Sequence, residues 1–214
     1  MDKRYTVAIT GASGSIYGMR LIEELLKAGC CVNLVISETG KEVILHETGL
    51  DFRGSEDEAG KKVLKYFKKN PPIPPLSKGG KRGFHDRLNY FDNGNLFASI
   101  SSGSHKTDGM IIAPCSMGTL GRIASGHSQK LIERTADVML KEKRRLIIVP
   151  RETPLNQIHL ENMLKLSKMN VDIVPAMPAF YQRPENIDDL VNFVVGKILD
   201  LLGIEQNLFE RWKG

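Results

Sequence analysis

The sequence alternates short, almost wholly apolar runs with longer amphipathic stretches, and no other feature constrains the fold as strongly. Five runs predict strands, namely residues 5–10, 31–36, 108–114, 145–150 and 171–176. Apolar residues at nearly every position suit strands that are covered on both faces. Amphipathic stretches predict helices at residues 15–28, 128–143, 154–168 and 188–202. This order predicts an α/β fold with a doubly wound, mostly parallel sheet of the Rossmann or flavodoxin type, in one domain over residues 1–214.

One segment departs from this pattern. Residues 70–83 are dense in Pro, Gly and Lys, which argues against a regular helix or a central strand. We expect a mobile surface insertion within the domain there. Residues 54–104 offer no clear strand, so the pattern leaves this part of the fold undefined.

Charge narrows the range of partners. The formal net charge is +5, and basic residues cluster at 61–69, 78–82 and 141–145. The first two clusters flank the predicted insertion and indicate a solvated surface, whereas the third is a candidate for binding an anionic small molecule. Nucleic acid is not an expected partner, because the basic residues are not concentrated on one element.

Neither a membrane segment nor a metal site is expected. No apolar run approaches the ~20 residues that span a bilayer. The first residues show no signal-peptide pattern, so a cytoplasmic location is expected. The three cysteines form no CxxC pair and the five histidines show no metal-ligand spacing. Cys115 is interpreted as a small residue at a strand end rather than a nucleophile.

A glycine-rich loop, TGASGSIYG at residues 10–18, joins the first strand to the first helix. Gly11 and Gly14 allow a tight turn, and the free N–H groups at the helix start are predicted to attract a phosphate, with a hydroxyl added by Ser13. The loop also matches the TGxxGxxG pattern of short-chain dehydrogenases. Those enzymes carry a Tyr with a Lys four residues later, and none of the five tyrosines here has one. A glycine turn without a ligand stays open at this point.

Four further segments carry motifs that are considered together with this loop: residues 115–126, 131–156, 158–167 and 178–184. Together they resemble the UbiX-type flavin prenyltransferases, within the FMN-binding cysteine decarboxylase-like flavoproteins. The resemblance implies transfer of a dimethylallyl group from dimethylallyl monophosphate to N5 and C6 of reduced FMN, without a metal. It also implies that a UbiD-type decarboxylase receives the prenylated FMN. The implied assembly is a homododecamer with active sites at subunit junctions.

The resemblance assigns roles to individual residues. By similarity, the residues that contact FMN are Gly11, Ala12, Ser13, Ser37, Ser116, Met117, Gly118, Thr119 and Arg151. The residues that would meet the substrate phosphate are Ser102, Arg134, Lys141, Tyr181 and Lys197. The implied catalytic residues are Glu152, Lys141, Ser13 and Glu47, and Trp212 matches an aromatic residue that helps to close the site.

Physical chemistry supports this set. Cations and hydroxyls stabilise a departing phosphate, and an aromatic or flavin face stabilises an allyl cation. Glu152 matches a carboxylate beside the phosphate, and Glu47 a second carboxylate near the reacting end. Lys197 stands where many members have Arg, which keeps the charge but loses the bidentate fork, so weaker phosphate binding is expected.

Two other functions stay open at this stage. An FMN-dependent decarboxylase of a cysteine-containing substrate would share the sheet and the FMN loops. Such enzymes carry an Asn-rich PASANT-like turn, whereas residues 114–119 read PCSMGT. A non-catalytic flavin-carrier subunit would bind FMN without turnover.

Overall fold

The computed structural model describes residues 2–69 and 87–212. Within them, a sheet of six parallel strands has the order β3-β2-β1-β4-β5-β6. The strands are β1 (Arg4–Ile9), β2 (Cys31–Ile36), β3 (Leu88–Asp92), β4 (Gly109–Cys115), β5 (Arg145–Pro150) and β6 (Asp172–Ile173). The predicted doubly wound α/β fold is therefore confirmed, in a single domain. The predicted insertion at 70–83 lies outside the described residues.

Seven α-helices of the described ranges cover the two faces of the sheet. They are α1 (Ser15–Lys27), α2 (Glu38–Thr48), α3 (Glu56–Lys69), α4 (Met117–Ala124), α5 (Leu131–Lys141), α6 (Gln157–Ser167) and α7 (Ile187–Leu201). Side chains of α1, α2, α3 and α7 belong to the core on one face, and those of α4, α5 and α6 to the core on the other. None of these helices combines the length and apolar character that a bilayer crossing requires.

The sequence pattern does not reveal β3, α2, α3 or α4. β3 lies in the region 54–104 that was left undefined, and it pairs with β2 from Val32–Leu88 to Ile36–Asp92. Only Leu88 of β3 is fully buried, so this edge strand lacks the continuous apolar run that marks the central strands. α2 and α4 begin directly at the ends of β2 and β4, where the pattern indicated loops.

β2 and β3 lie on one side of β1, and β4, β5 and β6 lie on the other, so the strand order reverses between β1 and β4. These two strands pair from Tyr5–Gly109 to Ala8–Ile112. In doubly wound sheets a crevice opens at this point, beyond the carboxyl ends of the strands. α1 packs closely on β4 here, since a Cβ at Gly18 would overlap a β4 carbonyl oxygen. The loops after β1 and β4 therefore form the walls of the crevice.

Candidate functional site

Three helices begin at the carboxyl edge of the sheet, directly after β1, β2 and β4. Gly14, with a φ of 97°, precedes α1, while Ser37 caps α2 and Ser116 caps α4. The Ser37 hydroxyl oxygen accepts the Gly40 N–H at 3.0 Å, which leaves its own proton available to a ligand. The Ser116 hydroxyl accepts the Thr119 N–H at 3.3 Å. The structure thus brings the predicted flavin-binding loops together at one edge.

The first turns of α2 and α4 supply free hydrogen-bond donors to this edge. Within the described part of the chain, the backbone N–H groups of Glu38, Thr39, Met117 and Gly118 have no acceptor. The first N–H groups of a helix lack intrahelical partners and carry the positive end of the helix dipole, which favours phosphate and carbonyl oxygens. Gly118 is exposed, so a flat ring can approach its backbone closely. These groups fit the phosphate and the polar ring edge of FMN.

Glu47 occupies the start of α1. Its carboxylate accepts the Gly14 N–H at 2.9 Å, the Ser15 N–H at 2.9 Å and the Ser15 hydroxyl at 2.7 Å. Burial acts to raise the pKa of Glu47, but these bonds and the Ser13 hydroxyl outweigh it and hold the pKa below its ordinary value. The prediction that these N–H groups attract a phosphate is therefore corrected, because a carboxylate of the same chain already takes them.

Arg151 and Glu152 extend from the end of β5 to the same edge. The Arg151 Nε donates to the Ser13 carbonyl oxygen at 3.1 Å, which joins the β5 loop to the glycine loop. Glu152 is exposed, and its carboxylate accepts the Thr153 N–H at 3.0 Å. Burial raises the pKa of Tyr17, although the Arg151 charge acts against this. Arg151 and Glu152 thus lie at the rim of the crevice.

Thr10 and Arg122 also shape the crevice, and the sequence interpretation did not identify them. The Thr10 hydroxyl donates to the Pro114 carbonyl oxygen at 2.9 Å and accepts the Ser116 N–H at 2.8 Å, so it joins the loops after β1 and β4. Arg122 donates to the Thr119 hydroxyl at 3.1 Å. Its position four residues after Gly118 places it on the same face of α4, which is the sequence signal that was available.

Thr119 differs from its predicted role. Its side chain is buried, and its hydroxyl takes hydrogen bonds from both Ser116 and Arg122. Arg122 also forms an ion pair with Glu133 of α5 at 2.7 Å, and Glu133 is only 3% exposed. The Thr119 hydroxyl therefore stabilises the junction of α4 and α5, and the Thr119 N–H is already donated to the Ser116 hydroxyl. Met117 and Ala12 are buried as well, whereas Ser13 is exposed.

Three of the predicted phosphate-binding residues lie around α5. The Arg134 Nε donates to the Ser101 carbonyl oxygen at 3.1 Å, next to the exposed Ser102. Lys141, at the last turn of α5, forms an ion pair with Glu142 at 2.7 Å. We call Ser102, Arg134 and Lys141 the α5 group.

The other two predicted phosphate-binding residues, Tyr181 and Lys197, lie around α7. The Tyr181 ring makes edge contacts with Phe193 and Trp212, with centroids 6.0 and 5.6 Å away. The Lys197 Nζ lies 6.0 Å from the Phe193 centroid and 5.9 Å from that of Phe209, within range of cation–π attraction. We call Tyr181, Lys197 and Trp212 the α7 group. Both Tyr181 and Trp212 are exposed, so this group is accessible.

A single chain does not join these groups into one site. α5 and α7 lie on opposite faces of the sheet. Lys141 ends α5 just before β5 begins, whereas Glu152 follows the end of β5. The six residues of β5 separate the two edges by about 20 Å at ~3.3 Å per residue. The carboxyl-edge crevice therefore contains Glu47, Arg151 and Glu152, without Lys141 of the same chain.

Comparison with known proteins decides the family. The Flavoprotein family model matches residues 1–199. The flavin prenyltransferase UbiX of Halalkalibacterium halodurans is 55% identical over 208 residues, which cover 97% of this chain and 92% of that protein. The chain belongs to the UbiX flavin prenyltransferase family.

Solved structures of UbiX proteins share the fold over the full length. The crystal structure of AnUbiX in complex with FMN and dimethylallyl pyrophosphate has a TM-score of 0.81 and 36% identity, covering 100% of this chain and 99% of that one. A dodecameric FMN-dependent UbiX-like decarboxylase from Escherichia coli O157:H7 has a TM-score of 0.80 and 39% identity, covering 99% and 100%. The resemblance stated from the sequence motifs is confirmed.

The UbiX-family crevice shows no metal centre in the described ranges of this chain, where no group of three or more His, Cys, Asp or Glu side chains is placed to hold an ion. The three cysteines are free and buried. Burial raises the pKa of the Cys115 thiol far above its ordinary value, so it is protonated at neutral pH. This agrees with its interpretation as a small residue at a strand end.

Proposed function

We propose that this chain is a flavin prenyltransferase that transfers the dimethylallyl group of dimethylallyl monophosphate to N5 and C6 of reduced FMN. The observation that carries the proposal is the crevice between β1 and β4. There, free N–H groups of α2 and α4 flank the glycine loop, and the Glu47 carboxylate is fixed beside them. Family membership supplies the reaction class.

FMN binding is assigned to the loops at this edge. The Ser37 hydroxyl and the N–H groups of Glu38 and Thr39 would hold the FMN phosphate, because they combine a hydroxyl with a helix N-terminus. The backbone of Met117 and Gly118 would hold the polar edge of the ring. Gly11, Ala12 and Ser13 would form the opposite wall, and the Arg151 charge would lie beside it.

The proton balance of the reaction requires a base, and Glu47 is suited to this role. Bond formation at N5 breaks the allylic C–O bond to the phosphate, bond formation at C6 consumes the prenyl double bond, and together they release two protons from the flavin. The middle carbon of the prenyl group takes one, and the other leaves with the phosphate. Glu47 has a lowered pKa and is ionised at neutral pH. We propose that it accepts the C6 proton through the Ser13 hydroxyl, and that Glu152 exchanges a proton with the departing phosphate.

The phosphate site is proposed to form between copies of the chain. The α5 group and the α7 group carry the cations that a departing phosphate requires, yet in one chain they lie on opposite faces of the sheet, and Lys141 lies at the edge opposite the crevice. A homo-oligomer, dodecameric like the Escherichia coli relative, would place them over the crevice of a neighbouring copy. Large apolar side chains exposed near α6 and α7 support self-association: Ile158, Leu164, Met177, Phe180 and Ile187.

The product is proposed to serve a UbiD-type decarboxylase, which needs a prenylated flavin that it does not make. The cytoplasm is the proposed location, because reduced FMN and a prenyl monophosphate are charged small molecules that do not cross membranes unaided. Dimethylallyl pyrophosphate, named for AnUbiX, is the donor to compare with the monophosphate.

The test is anaerobic incubation of the purified protein with reduced FMN and dimethylallyl monophosphate, followed by mass spectrometry of the flavin. We expect an adduct heavier by one isoprene unit, formed equally well with a chelator present. Glu152→Gln is expected to slow its formation by roughly 100-fold or more. Absence of the adduct from the wild-type reaction would refute the proposal.

A decarboxylase is the second candidate, because the Escherichia coli relative is named as one. Its test is release of carbon dioxide from a cysteine-containing peptide in the presence of FMN. Carbon dioxide without any flavin adduct would favour this candidate. FMN binding without either product, unchanged in Glu152→Gln, would favour a flavin carrier.

A further inference from the structure

The segment that contains Ser102 is held by two arginines. The Arg134 Nε donates to the Ser101 carbonyl oxygen at 3.1 Å. Arg144 donates through Nη2 to the Gly103 carbonyl oxygen at 2.6 Å and through Nη1 to that of His105 at 2.7 Å. Carbonyl groups of three alternate residues are therefore bound by guanidinium groups of α5 and the turn after it.

The end of α5 directs Arg144 to this segment. Lys143 adopts the left-handed conformation with a φ of 53°. The Arg144 N–H donates back to the Met139 carbonyl oxygen at 2.8 Å, which closes the helix end. No carboxylate of the described residues lies within ion-pair distance of Arg144. Both of its terminal nitrogens are thus used to hold backbone carbonyl groups.

Holding the segment places Gly103, the residue after Ser102, against Lys141. A Cβ on Gly103 would lie 2.9 Å from the Lys141 Nζ and would overlap the Glu142 carboxylate, so these side chains lie directly against the segment. The hydroxyls of Ser102 and Ser104 lie 2.9 Å apart, and both residues are exposed. The two hydroxyls and the Lys141 ammonium, which now pairs with Glu142 at 2.7 Å, are the donors that this segment and the end of α5 offer to phosphate oxygens.

We infer that Arg144 is a positioning residue for the substrate phosphate: its two hydrogen bonds to the Gly103 and His105 carbonyl oxygens fix the segment that contains Ser102 against Lys141. Arg144 itself does not touch the phosphate. This inference rests on the proposed function of the α5 group. A guanidinium suits the task because its rigid fork reaches two carbonyl oxygens at once, whereas a lysine ammonium reaches one with good geometry.

The variants Arg144→Gln and Arg144→Lys test the inference, with Arg145→Gln as the matched control. Arg145 is the next residue and binds Asp172 and the Leu201 carbonyl oxygen instead, so its loss perturbs the same region without releasing the Ser102 segment. We expect Arg144→Gln to raise the KM for dimethylallyl monophosphate roughly tenfold to a hundredfold, since small misplacements of binding groups have effects of this size. Arg144→Lys should recover part of the loss.

Binding measurements separate the inference from the proposed function. Calorimetric titration of the FMN-loaded wild-type protein with inorganic phosphate needs no turnover. Phosphate binding that is lost in Arg144→Gln and kept in Arg145→Gln, with FMN affinity unchanged in both, would support the inference even if no adduct formed. Equal phosphate affinity and KM in wild type and Arg144→Gln would overturn it, as would equal losses in both variants.

Discussion

Replacing Glu47 by Gln tests the most specific contact of the crevice. The carboxylate accepts hydrogen bonds from the Gly14 N–H, the Ser15 N–H and the Ser15 hydroxyl, and the Ser13 hydroxyl adds a fourth donor. The amide keeps one acceptor oxygen but turns an NH2 group toward these donors. Because the carboxylate acts like a helix cap at a partly exposed position, we expect a loss of about 1–2 kcal/mol in the free energy of unfolding. That corresponds to a fall in Tm of about 2–8 °C for a chain of this size.

The same variant has a chemical consequence. Without an ionised carboxylate beside Ser13, the proposed acceptor of the C6 proton is missing, and the rate of adduct formation should fall roughly 100- to 10,000-fold. Calorimetry measures the stability and anaerobic mass spectrometry the rate. Glu42→Gln is the matched control, since Glu42 lies exposed on the same helix and, among the described residues, its side chain forms an ion pair with Arg53 alone, at 3.5 Å.

The pH dependence of the stability difference adds a second criterion. The pKa of Glu47 is lower in the folded state than its ordinary value. Its stabilising effect is therefore complete above the unfolded pKa of about 4.3 and disappears as the pH falls through the folded pKa. The difference between wild type and Glu47→Gln should shrink below pH ~4. Equal stability and equal adduct rates at neutral pH would refute the assigned role.

Three other substitutions give distinct results. Lys41→Met should lower the free energy of unfolding, measured in urea, by about 2 kcal/mol, since Lys41 is 1% exposed and its ion pairs with two carboxylates are lost. The control Lys65→Met, at an exposed position, should leave the free energy of unfolding unchanged. Gly118→Ala should leave Tm unchanged or slightly higher, because the added Cβ lies 3.5 Å from Arg122, yet weaken FMN binding about tenfold by obstructing the ring; unchanged FMN affinity would move the flavin away from this turn. Lys197→Arg should lower the KM for the prenyl phosphate roughly threefold to tenfold through bidentate binding, and an unchanged KM would argue against phosphate contact.

The central strands were predictable because burial on both faces requires apolar residues at nearly every position. β1, β2, β4 and β5 are buried at almost every position, and the predicted runs match them closely. β3 has no continuous apolar run, because it is a partly exposed edge strand. Its pairing with β2 defines it as a strand. β6 is shorter than predicted, with two residues where 171–176 was expected.

The site was predictable only in part. Motifs identified the loops at the carboxyl edge, but they did not indicate that Glu47 binds the start of α1, since 33 residues separate it from Gly14. Lys41 could not be identified as a buried cation either, because its partner Asp92 lies on the unpredicted strand β3. The separation of Lys141 from Glu152 follows from the order of helix, strand and loop along residues 131–152, whereas the placement of α5 and α7 on opposite faces of the sheet is not specified by local sequence patterns.

Mixing two inactive variants tests most directly whether the active site is shared between copies. Lys141→Ala removes a cation of the α5 group and Glu152→Gln alters the crevice, so each homo-oligomer should form little adduct. Subunits of the two variants are mixed under conditions that exchange them, and native mass spectrometry confirms the hybrid assemblies. If neighbouring chains complete each site, some crevices regain both residues and adduct formation returns. Hybrids that stay as inactive as their parents would contradict the shared site.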